Sequence, residues 1–291
     1  MQAKFLMPLY QVVVLALVQA VTEFLPVSST AHLILVPWLL GWEDHGLLFD
    51  VALHLGTVVA VLAYFSKTWL RLLFLSVGRR VLVPPSGHPD EDLYENPRLF
   101  AYLVAATFPA GIAGLLLQDY IETTLRSPLL IGVTLIVVGL VMWWAERVGQ
   151  MKRDLSSVSF GQALLIGCAQ AMALVPGTSR SGITISTGLF LGMQRAAAAR
   201  FSFLLASPII LGASAKAAYG AWSQGGIPSE LQTPFLLGAI ISAIAGYLVI
   251  AVFLRYLQTA TMKIFVYYRV IFGIIVLALA SIFDFSVTGG P

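Results

Sequence analysis

Charge and cysteine are what this chain of 291 residues has least of. Asp, Glu, Lys and Arg make up 11% of it, against roughly 25% in soluble domains, so an ordinary water-solvated surface is excluded. The formal net charge of +3 is too small for a nucleic-acid-binding face and reads as loop charge; no nucleic-acid partner is expected. The single cysteine, Cys168, excludes an internal disulfide and a multi-cysteine metal site. Lying in an apolar run, it is expected to be a small buried core residue. Alternation of period two is absent, which argues against a membrane β-barrel. No small-residue cleavage pattern follows the first apolar stretch, so no cleavable signal peptide is expected.

What the chain has is apolar sequence, 58% of it, in runs long enough to cross a bilayer core, which takes about 20 helical residues. Spans are expected at 49–66, 99–117, 128–146, 200–222, 233–254 and 264–284. Two more apolar regions, 8–42 and 159–195, are interrupted midway by polar, proline-containing runs. Proline removes a donor and breaks a helix, and glycine tolerates the unusual backbone that follows. Unwound backbone at membrane depth persists only where it is buried in protein or lines a wet cavity. Both regions therefore read as re-entrant helix–loop–helix hairpins. The fold class is an all-α polytopic membrane protein, with six transmembrane helices and two re-entrant hairpins.

The two interrupted regions are copies of one another. The first contains Gln19-Ala20-Val21-Thr22-Glu23-Phe24-Leu25-Pro26-Val27-Ser28-Ser29-Thr30-Ala31-His32, and the second Gln170-Ala171-Met172-Ala173-Leu174-Val175-Pro176-Gly177-Thr178-Ser179-Arg180-Ser181-Gly182. Aligned on their prolines, Ser28 matches Thr178, Ser29 matches Ser179 and Thr30 matches Arg180. The likeness continues into 49–56 against 200–207 and into 98–118 against 233–253. A single integral membrane domain over 1–291 is expected, with repeat one about 8–146 and repeat two about 159–284. Each half holds one hairpin and three spans. Three is odd, so the halves insert in opposite orientation, an arrangement that commonly places a substrate site between broken helices. Basic residues concentrate in 67–98, 147–153 and 255–263. Those segments are taken as cytoplasmic, which puts both termini outside and brings the first hairpin in from outside. Trp69, Trp143, Trp144 and Trp222 fall near span ends, as an aromatic belt would.

Polar residues inside a membrane are costly and tend to mark function. Ser28, Ser29 and Thr30 form one hydroxyl-rich loop at a helix start; Thr178, Ser179, Arg180 and Ser181 form the other. Such clusters can be simple helix caps, but two matched loops with an arginine in one fit an anion, through free amides and a guanidinium fork. Arg180 needs an anionic partner, either Glu23 or a substrate phosphate. Glu23 lies four residues after Gln19, on the same helical face, as a general base, a metal ligand or the partner of Arg180. His32, three residues past Ser29, is expected to fold back toward that hydroxyl as base or acid. Asp50 and His54, one turn apart on the next span, are candidates to line the cavity.

These two motifs resemble the signatures of bacterial undecaprenyl-diphosphate phosphatases of the bacitracin-resistance type, and the likeness extends to length and duplicated layout. The resemblance implies hydrolysis of the terminal phosphate of a C55 polyprenyl diphosphate in the bacterial inner membrane, recycling the lipid carrier of cell-wall synthesis. It implies an active site toward the periplasm and a divalent cation, Mg²⁺ or Ca²⁺. Carried over, the acidic motif maps to Gln19 and Glu23, the hydroxyl and imidazole to Ser29 and His32, and the phosphate-binding pair to Ser179 and Arg180. Many members have glutamate where this chain has Gln19. Glutamine is no base and a weaker metal ligand, so Glu23 must supply the carboxylate. A lipid-phosphate transporter or flippase is the alternative, since inverted repeats with broken helices are also a transporter architecture. The partners expected are the polyprenyl diphosphate and the bilayer, and a homo-oligomer is compatible with the sequence.

Overall fold

The computed structural model describes residues 7–43, 46–78, 96–125, 127–223 and 226–282. The loop charges Arg79, Arg80, Asp90, Glu91, Asp92, Glu95 and Arg126, together with His45 and His88, lie outside the described residues. Among the described residues eleven helices follow one another: α1 (Leu9–Phe24), α2 (Ser29–Leu40), α3 (Gly46–Tyr64), α4 (Ser66–Ser76), α5 (Leu99–Thr124), α6 (Pro128–Val148), α7 (Phe160–Met172), α8 (Arg180–Phe190), α9 (Arg195–Ser223), α10 (Ser229–Thr259) and α11 (Lys263–Ile282). No strand occurs among the described residues. Of these helices, five are long and apolar enough to cross a membrane by themselves, among the described residues. A sixth span is bent: α3 turns by 67° into α4, where the sequence suggested a plain loop after residue 66. Outward helix faces carry large apolar side chains such as Leu116, Val252 and Ile271. In lipid such exposure is the favourable arrangement, because the solvent is as apolar as the side chain.

Both interrupted regions fold as hairpins that return to the end from which they entered. Tyr10 at the start of α1 meets Trp42 just beyond α2, ring centroids 5.7 Å apart. In the second hairpin, the amides of Lys152 and Arg153 ahead of α7 both donate to the carbonyl of Gly192 just past α8, at 2.9 Å. The two hairpins enter from opposite ends of the bundle. The 150–158 segment is tied to the start of α5 by Asn96, which donates to Ser156 O at 3.2 Å and Val158 O at 3.0 Å. Trp69 of α4, past the end of α3, packs on Phe100 of α5 at that same end. Trp42 precedes α3 and therefore lies at the other.

Each hairpin packs on a long helix from the other half of the chain, α1 on α10 and α7 on α5. The approach of α7 is close because Gly167 faces α5: a Cβ there would stand 2.1 Å from Ala106 O. The residue 151 positions earlier, Ala16, receives the Ser242 hydroxyl of α10 on its carbonyl at 3.2 Å. The aromatic core joins the halves as well. Phe24, fully buried at the end of α1, packs edge-on against Phe203 of α9 at 5.4 Å. That contact fixes the end of α1 next to Glu23. Cys168 departs from expectation: it is exposed on α7, because the buried face of that helix carries Ala163, Ile166, Gly167 and Gln170 instead.

Candidate active site

The two hairpin tips meet inside the bundle, each built from the same local device. Helix α2 is capped by Ser28, whose Oγ accepts from the Ala31 amide at 3.4 Å. Helix α8 is capped by Ser179, whose Oγ accepts from the Gly182 amide at 3.2 Å. Both serines hold positive φ, 78° and 66°, a backbone region costly for residues other than glycine and found mainly where function needs the chain turned sharply. The shared geometry corrects the alignment made on prolines. Ser28 corresponds to Ser179, Ser29 to Arg180 and Thr30 to Ser181, an ungapped offset of 151 that also pairs Gln19 with Gln170. The proline shifts by one position because Gly177 takes the place matching Pro26. Gly177 has φ 88°, and a Cβ on it would lie 2.0 Å from Thr134 Oγ1.

The first residue of each tip helix reaches the same carboxylate. Ser29 Oγ donates to Glu23 Oε2 at 2.5 Å, and Arg180 Nη2 donates to Glu23 Oε1 at 2.7 Å. Gln19 Nε2 donates to Oε2 at 3.1 Å, as the spacing of four residues on one face predicts. His54 Nε2 stands 3.6 Å from Oε2, while its Nδ1 bonds the Asp50 carbonyl at 2.7 Å. That second bond makes Nδ1 a donor to the Asp50 carbonyl and leaves Nε2 facing Glu23. Glu23 itself is buried.

These groups line a cavity of about 170 Å³ between the hairpins. Its walls include Thr22, Glu23, Ser28, Ser29, Thr30, His54, Gln170, Ser179 and Arg180. Thr178 and Ser181 lie just behind it. Ser181 Oγ donates to Leu25 O at 3.1 Å and sits 3.3 Å from Ser179 Oγ, which joins the two tips. His32 is not on the cavity wall, and the expected contact with the Ser29 hydroxyl is absent. Its Nδ1 bonds the Ser28 carbonyl at 2.7 Å, its Nε2 bonds Tyr268 Oη at 2.6 Å, and the ring stacks on Phe272 at 5.0 Å. On an α-helix, a residue four positions after the cap turns back onto the cap's own carbonyl, so the imidazole braces the Ser28 turn. The imidazole beside Glu23 belongs to His54.

Arg269 is the residue that sequence reasoning missed. It is fully buried and has only carbonyls as hydrogen-bond acceptors. Its guanidinium donates to Pro26 O (3.3 Å) on the first tip, to Gly177 O (2.8 Å) and Thr178 O (3.2 Å) on the second, and to Thr134 O and Leu135 O of α6. Five donors in a rigid fork suit this task as an ammonium would not. The signal was present, an arginine within an apolar span, and the rule that drew attention to Arg180 applies to it equally.

Among the described residues no group of three His, Cys, Asp or Glu is placed to hold a metal ion. Glu23 is the carboxylate on the cavity wall, and the Oε1 atom of neighbouring Gln19 is buried without a hydrogen-bond partner.

Comparison with known proteins joins these observations to a family. The profile described as bacitracin resistance protein BacA matches residues 12–275. The chain is 47% identical over 272 residues to the undecaprenyl-diphosphatase of Desulforudis audaxviator, covering 93% of this chain and 97% of that protein. It is 48% identical over 284 residues to undecaprenyl-diphosphatase 2 of Stutzerimonas stutzeri, covering 94% and 99%. It is 42% identical over 281 residues to the undecaprenyl-diphosphatase of Pelotomaculum thermopropionicum, covering 96% and 100%. A multi-pass helical chain with paired hairpin tips, matched over nearly its whole length by these proteins, belongs to the BacA bacitracin-resistance family.

Proposed function

We propose that this chain is a membrane hydrolase that converts undecaprenyl diphosphate to undecaprenyl phosphate and inorganic phosphate, with the chemistry in the cavity between the hairpin tips. The observation that carries the site is the convergence of Ser29 and Arg180, one from each hairpin, on the Glu23 carboxylate. A hydroxyl already donating to a carboxylate, beside a guanidinium, suits nucleophilic attack on a phosphoanhydride. As Ser29 Oγ bonds to the terminal phosphorus, its proton passes to Glu23 Oε2, and the bond from that phosphorus to the bridging oxygen breaks. The lipid monophosphate leaves with the electron pair. Glu23 passes the proton taken from Ser29 to the departing monophosphate. Water then attacks the phosphoserine and gives its proton to the freed Glu23 carboxylate, which returns it to Ser29 Oγ as the phosphorus–Oγ bond breaks and inorganic phosphate leaves.

Arg180 exchanges Glu23 for phosphate oxygens when the headgroup enters. Together with the amides at the start of α2 and α8, it stabilises the charge that builds on the equatorial oxygens. The hydroxyls of Ser28, Ser179 and Ser181 shape the two turns that aim those amides, and those of Thr30 and Thr178 are further donors for phosphate oxygens. His32 acts one step removed, by holding the Ser28 turn.

A divalent cation, Mg²⁺ or Ca²⁺, fits as one carried in with the diphosphate. Such ions take oxygen ligands, Mg²⁺ commonly one or two carboxylates plus substrate phosphates, and Glu23 with Gln19 Oε1 would hold it. Bound there it would neutralise diphosphate oxygens. Loop basicity supports an orientation with the termini outside, and the likeness of the two motifs to the family's signatures supports a cavity reached from the periplasmic face. The division into two inverted repeats, about 8–146 and 159–284, is supported by the exchanged packing of α1 on α10 and α7 on α5. The transport alternative gains no support from the relatives, which are named for hydrolysis.

The test is phosphate release from undecaprenyl diphosphate by the purified protein in detergent, beside Arg180→Ala and Ser29→Ala. Release that falls at least a hundredfold in both variants is expected, the scale for removing one transition-state donor or a nucleophile. Near-normal turnover in Ser29→Ala would sink the covalent step, and in Arg180→Ala the whole site.

A further inference from the structure

The two glutamines that open the matched motifs have different fates. Gln19 Nε2 is bonded to Glu23, four residues further along. Gln170 occupies the equivalent place in the second hairpin, but four residues on stands Leu174, which offers no acceptor. The Gln170 side chain is 2% exposed and lines the cavity, yet neither its Oε1 nor its Nε2 has a hydrogen-bond partner. The Nη1 atom of Arg180, on the same cavity, is likewise buried and unbonded. A buried amide left unsatisfied is destabilising, and an apolar side chain of the same shape would be better tolerated. Both unbonded nitrogens are donors, and the ligand they suit is one rich in acceptors, such as a phosphate.

We propose that Gln170 is a binding residue for the diphosphate headgroup. Its Nε2 amide donates to a non-bridging phosphate oxygen beside Arg180 Nη1, and its Oε1 accepts from a water of the headgroup's hydration shell. The duplication explains the arrangement. One half keeps the carboxylate that does proton chemistry and occupies its glutamine with it; the other half lacks the carboxylate and leaves its glutamine free for substrate. The assignment rests on the hydrolase reading above.

The test uses the full-length protein in detergent with undecaprenyl diphosphate, comparing wild type, Gln170→Leu and Gln170→Glu for kcat, KM and Tm. Gln170→Leu is expected to raise KM on the order of tenfold, the loss of one hydrogen bond to a charged group, with Tm unchanged or higher because the unsatisfied amide is gone. Gln170→Glu is expected to raise KM further, by setting like charge against the phosphate. A merely structural Gln170 would give the opposite split, with Tm lowered in the leucine variant and KM of the folded fraction unchanged, and that result overturns the assignment. Wild-type protein that releases no phosphate would instead overturn the hydrolase reading, so the two failures are distinguishable.

Discussion

Replacing Arg269 with methionine removes the clamp that holds both hairpin tips, and the consequence can be sized from its contacts. Three of its five acceptors, Pro26 O, Gly177 O and Thr178 O, lie in the unwound turns outside any helix. A hydrogen bond from a charged donor contributes about 1.5–3 kcal/mol, so three contribute roughly 5–9 kcal/mol. Against this, burial of the guanidinium costs several kcal/mol, which methionine does not incur. The net expectation is a loss of about 2–4 kcal/mol and a fall in Tm of several degrees. The effect on catalysis should be larger than stability alone implies. Ser29 follows Pro26 by three residues and Arg180 follows Gly177 by three, and a displacement of about 1 Å at a reacting group can cost about a hundredfold. Arg269→Lys, with one compact ammonium in place of a fork, should reach fewer of these carbonyls and fall between the two. The assay is phosphate release together with thermal unfolding in the same detergent. Wild-type Tm and turnover in Arg269→Met would refute the idea that this residue sets the spacing of the tips.

Other outcomes follow from the same geometry. His32→Ala should lower turnover by releasing the Ser28 turn, whereas Tyr268→Phe, which removes only the bond to Nε2, should lower it less; equal losses in phosphate-release assays would mean that the His32–Tyr268 bond, and not the brace on Ser28, is what matters. Gly177→Ala should be destabilised by on the order of 1–3 kcal/mol, since it forces a positive φ on a residue with a Cβ and that Cβ meets Thr134 Oγ1 and the Ile131 carbonyl; thermal unfolding of Gly177→Ala with and without Thr134→Ala isolates the clash with Thr134, which the second change relieves, from the backbone contact and the strained φ, which remain. Chelation with EDTA should abolish phosphate release while leaving Tm nearly unchanged, because the ion is held largely by substrate; a large drop in Tm on chelation would point to a cage made by the protein itself.

The membrane class, the expected spans and the two interrupted hairpins were legible in the chain because they depend on local properties. Hydropathy over a window of helical length, and proline or glycine within it, decide where a helix crosses and where it breaks. The convergence on Glu23 was partly legible for the same reason: a lone carboxylate and a lone arginine in oil must find partners, and Gln19 four residues before Glu23 must share its face. Three things depended on how distant segments meet. His32 closes the first motif and His54 lies on the next helix, well beyond it, and only the packing of α2 on α11 and of α3 beside α1 decides that His32 bonds Tyr268 while His54 stands by Glu23. Arg269 gains its role from carbonyls 91 to 243 positions away in sequence, contacts that no local pattern encodes. The correspondence of the two tips, Ser29 with Arg180, follows from the positive φ that both serine caps share, because a proline can slide by one residue in a turn while the first amide of a helix cannot. Residue types and their spacing thus determined that this chain is a membrane protein with two polar loops suited to phosphate. Tertiary packing alone decided which imidazole, which amide and which buried cation serve them, since burial and bond direction are properties of the assembled bundle and not of any one segment.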